Sequence, residues 1–155
     1  MVFRRTKMNL GFYVHSTSDT PLNKDISQLL NEAVENGVVK DASLFYNNID
    51  FSPTGKKFGT FNSTDLWSFN GTLVVTNLTL LPMASNIVNK IKLIYLYASS
   101  EIKKGDMGQL MELLNLSEKI PVVARDPDDK KEFYRLTKHT IPVLDKFSAE
   151  EILKV

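Results

Sequence analysis

Cysteine is absent from this chain of 155 residues. Disulfide bonds, thiolate nucleophiles and metal sites built on cysteine are therefore excluded. A chain without disulfides suits a reducing compartment. We accordingly expect a cytoplasmic protein, or, if the protein is viral, one found in the host cytoplasm or the virion.

Long hydrophobic runs are also missing. Residues 93–98 form one of the longest apolar stretches, whereas a membrane-spanning helix needs about 20 predominantly apolar residues. The basic start, Arg4-Arg5-Thr6-Lys7, is not followed by the apolar segment of a signal peptide. The sequence therefore predicts neither a signal peptide nor a membrane partner.

Neither sign of charge dominates, because 19 Lys and Arg residues face 18 Asp and Glu residues and leave a net charge of +1 at pH 7. Strong nucleic-acid binding usually depends on an excess of basic residues that neutralise phosphates. We therefore expect no strong binding to nucleic acid.

The composition that is present belongs to a folded domain, with 43% hydrophobic and 24% charged residues. A chain of 155 residues is long enough to bury one core without disulfides. We expect residues 1–8 to form a loose N-terminal tail and residues 9–155 to form a single domain.

Short runs of apolar, β-branched and aromatic residues alternate with stretches of helical periodicity. The runs predict seven strands, at residues 9–14, 41–47, 58–61, 72–77, 92–98, 120–124 and 141–144. Capping residues predict helices that begin after Thr20, Asp126 and Ser148. Further helices are predicted after Ser63 or Thr64, over residues 80–88, and after Asp106.

Several of these strands are continuous apolar runs rather than alternating ones, which is typical of strands buried on both faces. The pattern predicts an α/β fold: a three-layer Rossmann-like sandwich with a predominantly parallel sheet and helices on both faces. The first and fourth strands should be neighbours. Ten residues should be largely buried: Leu10, Phe12, Val14, Leu44, Leu73, Val75, Leu93, Tyr95, Val122 and Val123.

Ligands of open α/β sheets bind beyond the carboxyl ends of the strands. Polar residues that end or follow the predicted strands are therefore candidate ligand-binding residues: His15, Ser16, Thr17, Thr76, Asn77, Ser99 and Arg125. If a ligand binds, these side chains should converge on one cleft. The alternative is that they are ordinary loop and capping residues.

The loop after the first strand lacks the glycines of a dinucleotide-binding fingerprint, since it is His15-Ser-Thr-Ser-Asp-Thr. Thr54-Gly55-Lys56-Lys57 lacks the remaining residues of a P-loop. We therefore expect no NAD, FAD or other cofactor of the usual kind. No metal site is expected either, because Asp126 and Asp129 fit a helix cap and its first turn.

Two candidate residues carry specific chemistry. His15 could act as a general base if Asp19, Asp106 or Asp126 oriented its imidazole; the alternative is a histidine that only bonds to a loop carbonyl. Arg125 would supply the positive charge that an anionic group requires.

Four stretches, residues 9–15, 70–77, 120–127 and 147–151, resemble the N-terminal half of a GT-B-type glycosyltransferase. The resemblance implies a Rossmann-like fold. It also implies that His15 stands where part of that superfamily has the catalytic base for the acceptor hydroxyl. These enzymes bind the nucleotide-sugar with a second Rossmann-like domain, which we do not expect in this chain, so we expect no sugar transfer by the chain alone.

Three functions remain open. The first is a glycosyltransferase-like, non-catalytic domain that binds a sugar, a nucleotide-type ligand or a protein partner at the carboxyl ends of the strands. The second is a structural or interaction protein, for example a small viral component, that self-associates or binds another protein. The third is a small complete enzyme. Fold alone does not choose among them.

Overall fold

Six parallel strands form one sheet in the computed structural model, which describes residues 8–49, 56–87, 91–98, 108 and 120–155. The strand order is β3-β2-β1-β4-β5-β6, and each neighbouring pair is parallel. The strands are β1 (Leu10–Ser16), β2 (Ala42–Asn48), β3 (Gly59–Asn62), β4 (Gly71–Val75), β5 (Ile91–Tyr97) and β6 (Val122–Ala124). The predicted parallel α/β fold is confirmed.

The first and fourth strands are neighbours, as predicted, with Leu10 opposite Thr72 and Tyr13 opposite Val75. The strand order reverses at this pair, which is where open α/β sheets have a crevice at their carboxyl edge. The predicted strand at residues 141–144 is reduced to a single parallel bridge between Val143 and Ala124.

Helices cover both faces of the sheet. They are α1 (Pro21–Glu35), α2 (Leu81–Ser85), α3 (Pro127–Thr137) and α4 (Ala149–Leu153), with 3₁₀ segments at Ser63–Ser68 and Leu78–Leu80. The first face packs against α1 and α4, and the second against α2, α3 and the 3₁₀ segments. Among the described residues, no helix combines the length and the apolar character needed to cross a bilayer.

The predicted caps at Thr20, Asp126 and Ser148 are confirmed, because each side chain accepts a hydrogen bond from a backbone N–H three residues later. The segment at Ser63–Ser68 is capped by Asn62 instead, since its side chain accepts from the backbone N–H of Thr64. Residues 1–7 of the predicted tail lie outside the described residues, as does the helix predicted after Asp106 except for Gly108, which is helical.

Alternating side chains of the central strand β1 enter opposite cores. Leu10, Phe12 and Val14 belong to the core of the first face, whereas Tyr13 belongs to that of the second. Nine of the ten residues predicted to be buried are buried, and Leu93 is half-buried. This packing places the end of β1 at the centre of the carboxyl edge.

Candidate functional site

The loop between β1 and α1 is folded around one asparagine side chain. The Asn23 amide nitrogen donates to the backbone carbonyls of Ser16 at 2.9 Å and Ser18 at 2.7 Å. The hydroxyls of Ser16 and Ser18 are 2.6 Å apart. Thr20 caps α1 by accepting from the Asn23 backbone N–H at 3.1 Å. The first turn of α1 therefore fixes the loop that follows the central strand.

An apolar cavity of about 230 Å³ lies between the start of α1 and strands β2 and β3. Leu44 and Phe58 contribute its buried apolar surface. The remaining lining is mostly polar: Thr17, Ser18, Asp19, Asn23, Lys24, Ser27, Ile49, Lys56 and Thr60. Ligand sites commonly combine apolar walls with a few placed polar groups in this way.

The cations of this apolar cavity have polar neighbours. The Lys24 Nζ lies 3.5 Å from the Asp19 carboxylate. The Lys56 Nζ donates to the Thr60 hydroxyl at 3.1 Å. Charge around the cavity is therefore partly compensated within the protein, which lowers its attraction for an isolated anion.

A second, open cavity of about 820 Å³ adjoins the first at Ser18 and Ile49. Its remaining lining is His15, Ser16, Tyr46, Asn47, Asn48 and Asn62. The Tyr13 hydroxyl donates to Asn47 Oδ1 at 2.8 Å and lies 3.3 Å from Met83 Sδ. This bond occupies Asn47 Oδ1, and within the described part of the chain the Asn47 amide N–H groups are available to a ligand.

His15 lines the open cavity with an exposed side chain. Of its predicted carboxylate partners, Asp19 pairs with Lys24, Asp126 caps α3, and Asp106 lies outside the described residues. Within the described part of the chain, no carboxylate forms an ion pair with His15. Among the residues that the structure describes, His15 thus faces solvent without an orienting acid.

Thr76 and Asn77, two of the predicted site residues, form hydrogen bonds within the protein beside the β1–β4 pair, where the strand order reverses. Thr76 is buried, with its hydroxyl 3.5 Å from the Tyr13 carbonyl oxygen. Asn77 caps the 3₁₀ segment Leu78–Leu80 by accepting from the Thr79 backbone N–H at 3.0 Å. Ser99, the predicted site residue that follows the fifth strand, lies outside the described residues.

Arg125 is engaged by the protein. Its guanidinium forms an ion pair with Asp25 of α1 and lies 5.5 Å from the centre of the Phe147 ring. Its side chain is 28% exposed. Arg125 is not among the described residues that line either cavity. Arg125 therefore connects the end of β6 to Asp25 of α1 and to Phe147, the residue before the cap of α4.

Three residues predicted from the sequence, His15, Ser16 and Thr17, line the cavities. Other residues that shape the cavities were not predicted. Tyr13 and Phe58 are aromatic residues in or beside strands, a pattern that indicates a core. Asn23 and Ser27 lie on a helix whose periodicity predicts only its buried face. Asn23 and Ser27 could have been found from the sequence by their position in the first two turns of α1, directly after the candidate loop.

On the other side of the sheet, the Tyr97 hydroxyl donates to a Glu132 carboxylate oxygen at 3.2 Å. Burial raises the pKa of Tyr97 above its ordinary value, and the charge of Glu132 raises it further. This pair links β5 to α3 and lies apart from both cavities.

No group of three or more side chains suited to a metal ion occurs among the described residues. Comparison with known proteins gives no match to a family model, to a curated protein or to a solved structure.

Proposed function

We propose that this chain is a glycosyltransferase-like binding domain that takes a sugar or the nucleoside part of a nucleotide-type ligand at the carboxyl ends of β1, β2 and β3. The observation that carries the proposal is the pair of adjoining cavities, one apolar and one open and polar, that share Ser18 and Ile49. The open cavity follows the carboxyl ends of β1 and β2, at the edge of the sheet where open α/β folds bind ligands, and both cavities lie on the β2 and β3 side of the β1–β4 pair.

The chemistry of the two cavities supports a neutral, hydroxyl-rich ligand. The apolar cavity offers the Leu44 and Phe58 side chains to a ring, while Ser27 and Thr60 stand beside them as hydroxyl donors and acceptors. In the open cavity, Asn47 and Asn48 add amide groups to the same ligand. Sugars and nucleosides present this combination of a ring face and several hydroxyls.

The domain does not transfer sugar by itself in this proposal. Activating an acceptor hydroxyl requires a general base within hydrogen-bond reach, commonly held in place by a second group. No carboxylate among the described residues pairs with His15, and its cavity is open to water. Exclusion of water would have to come from a second domain or a partner.

Binding can be tested by calorimetry with a panel of hexoses, nucleosides and nucleotide-sugars, using a variant that fills the apolar cavity. Ser27→Leu places a good helix former at a half-buried position that lines this cavity. We expect the wild type to bind at least one compound and Ser27→Leu to bind it at least tenfold more weakly. Gln28→Leu, at the next and exposed position, is the matched control and should bind like the wild type.

Two results would overturn the proposal. One is a panel without any binder. The other is a ligand that Ser27→Leu and Gln28→Leu bind equally well. Transfer from a nucleotide-sugar by the purified chain, lost in His15→Ala, would overturn the non-catalytic part alone.

A second candidate function, an interaction protein, is favoured by exposed aromatic residues beside the edge of the sheet. Phe61 in the edge strand β3 is 41% exposed, and Trp67 in the following 3₁₀ segment is 48% exposed. Large exposed aromatic side chains are enriched at protein interfaces. Light scattering tests self-association: a dimer that Trp67→Ser dissociates would favour this function, and a monomer at high concentration would argue against self-association.

A further inference from the structure

A third cavity, of about 410 Å³, lies at the opposite, amino-terminal edge of the sheet. Its lining comes from residues at or near the starts of four strands and from the end of the 3₁₀ segment Ser63–Ser68: Asn9, Asp41, Ala42, Ser43, Gly59, Phe61, Ser68, Phe69 and Asn70. It shares no described lining residue with the cavities at the carboxyl edge. A ligand here would be independent of the sugar or nucleoside binding proposed above.

One wall of this amino-edge cavity is the Phe61 ring. The ring lies directly over Gly59, since a Cβ added at that glycine would collide with it. Its centre is 5.8 Å from the centre of the Phe45 ring, which in turn packs edge-on against Phe69 at 5.3 Å. Phe61 is thus held by an aromatic cluster while 41% of it stays exposed.

The Asn9 amide lies at the same cavity. The Asn9 amide nitrogen donates to the Asn70 carbonyl oxygen at 3.1 Å, which fixes the orientation of the amide. The other amide atom, Asn9 Oδ1, is buried and has no hydrogen-bond donor among the described residues. Buried acceptors are normally satisfied, and a donor for this oxygen would come from outside the described residues.

The backbone holds Asn9 tightly in this position. The Thr72 N–H donates to the Asn9 carbonyl oxygen at 3.0 Å. Gly71 has a φ of 132°, and a Cβ there would collide with the same carbonyl oxygen. Glycine is therefore required for β4 to approach Asn9. The Asn9 amide is thus held at the start of the sheet.

Asp41 supplies the charge of this cavity. It is the only ionisable residue among the described lining residues, and its side chain is exposed. It forms no ion pair within the described part of the chain. An aromatic face and a carboxylate together favour a planar cation that carries several N–H donors.

We propose that the amino-edge cavity binds a guanidinium group. Its planar face would lie on the Phe61 ring, and one edge would pair with the Asp41 carboxylate. Guanidinium combines stacking on aromatic rings with five N–H donors in a fixed plane. The group can come from a free small molecule or from an arginine side chain of another protein.

The test is an NMR titration of the full chain with n-butylguanidinium, using n-butylurea as a neutral compound of similar shape. We expect n-butylguanidinium to shift the backbone amides of Asn9 and Asn70 and to bind at least tenfold more tightly than the urea. A short peptide with one arginine forms the second arm. Tighter binding of the peptide assigns the site to a protein arginine, and tighter binding of the free compound assigns it to a small molecule.

Two pairs of variants separate specific recognition from general charge. Asp41→Asn should weaken n-butylguanidinium binding about tenfold, whereas Asp65→Asn, a nearby exposed acid outside the lining, should not. Phe61→Leu should weaken binding severalfold, whereas Trp67→Leu should not. Equal binding of the urea, equal effects of Asp41→Asn and Asp65→Asn, or shifts confined to the carboxyl edge would overturn the proposal.

Discussion

The Tyr13 hydroxyl donates a hydrogen bond to Asn47 Oδ1 at 2.8 Å, from the central strand β1 to its neighbour β2. Tyr13 is 1% exposed and belongs to the core of the second face. Its hydroxyl therefore connects a packed core to a side chain that lines the open cavity. A rigid partner of this kind fixes the direction in which Asn47 presents its N–H groups.

This relationship predicts the effect of Tyr13→Phe. The substitution keeps the ring but removes the donor to Asn47, so the free energy of unfolding should fall by about 0.5–1.5 kcal/mol. Affinity for the sugar or nucleoside should fall severalfold, because the Asn47 amide is then free to rotate. Denaturant titration and calorimetry measure the two effects. Tyr134→Phe, at an exposed tyrosine of α3, is the control, and an equal loss of affinity there would contradict the role of Tyr13.

Packing of α1 on the sheet is the basis of a second prediction. Leu30 is 0% exposed within the core of the first face, and Leu30→Ala should cost about 2–5 kcal/mol of unfolding free energy. Ser148→Ala removes only the cap of α4 and should cost about 1 kcal/mol. Denaturant titrations that give equal and negligible effects would contradict both assignments.

The raised pKa of Tyr97 predicts how the free energy of unfolding changes at high pH. Its pKa is raised in the folded state from an unfolded value of 10.0, chiefly by burial and then by Glu132. The unfolded chain thus loses its proton first, so the stabilising contribution is complete below about pH 10 and declines as the pH rises further. In Tyr97→Phe this decline should be smaller than in the wild type. Parallel denaturant titrations at pH 8 and pH 10.5 check the difference, and identical declines would contradict it.

The contacts of Arg125 predict that its substitution changes the free energy of unfolding but not the affinity for a ligand. Arg125→Lys loses the paired geometry with Asp25 and the stacking on Phe147. Since Asp25 is 40% exposed, solvent screens the pair, and the loss of stability should stay within about 1 kcal/mol. Ligand affinity should remain within twofold of the wild type, because Arg125 lines neither cavity. A tenfold loss in calorimetry would place Arg125 in the site after all.

Much of the fold could be predicted because its signals are local. Continuous apolar runs identified β4 and β5 as buried parallel strands, and a hydroxyl or carboxylate before proline identified the starts of α1 and α3. The failures were also local: Asn62 caps the 3₁₀ segment in place of Ser63 or Thr64, since each of these neighbouring side chains belongs to a residue type that favours the N-cap position.

The site was less predictable because its residues depend on partners distant in the chain. Thr76 contacts Tyr13, and Arg125 pairs with Asp25 across 100 positions of sequence. A polar residue after a strand looks the same whether a ligand or another side chain satisfies it. Only the tertiary structure separates His15, which lines a cavity, from Arg125, which stabilises the packing of α1.

Ligand binding at the carboxyl ends of β1, β2 and β3 can be tested by mapping backbone amide shifts in the full chain with the tightest binder from the sugar and nucleoside panel. We predict shifts concentrated at Thr17, Ser18, Asn47 and Thr60, and their loss in Ser27→Leu. Shifts confined to the amino-terminal edge, or spread evenly over the surface, would contradict ligand binding at the carboxyl ends of the strands.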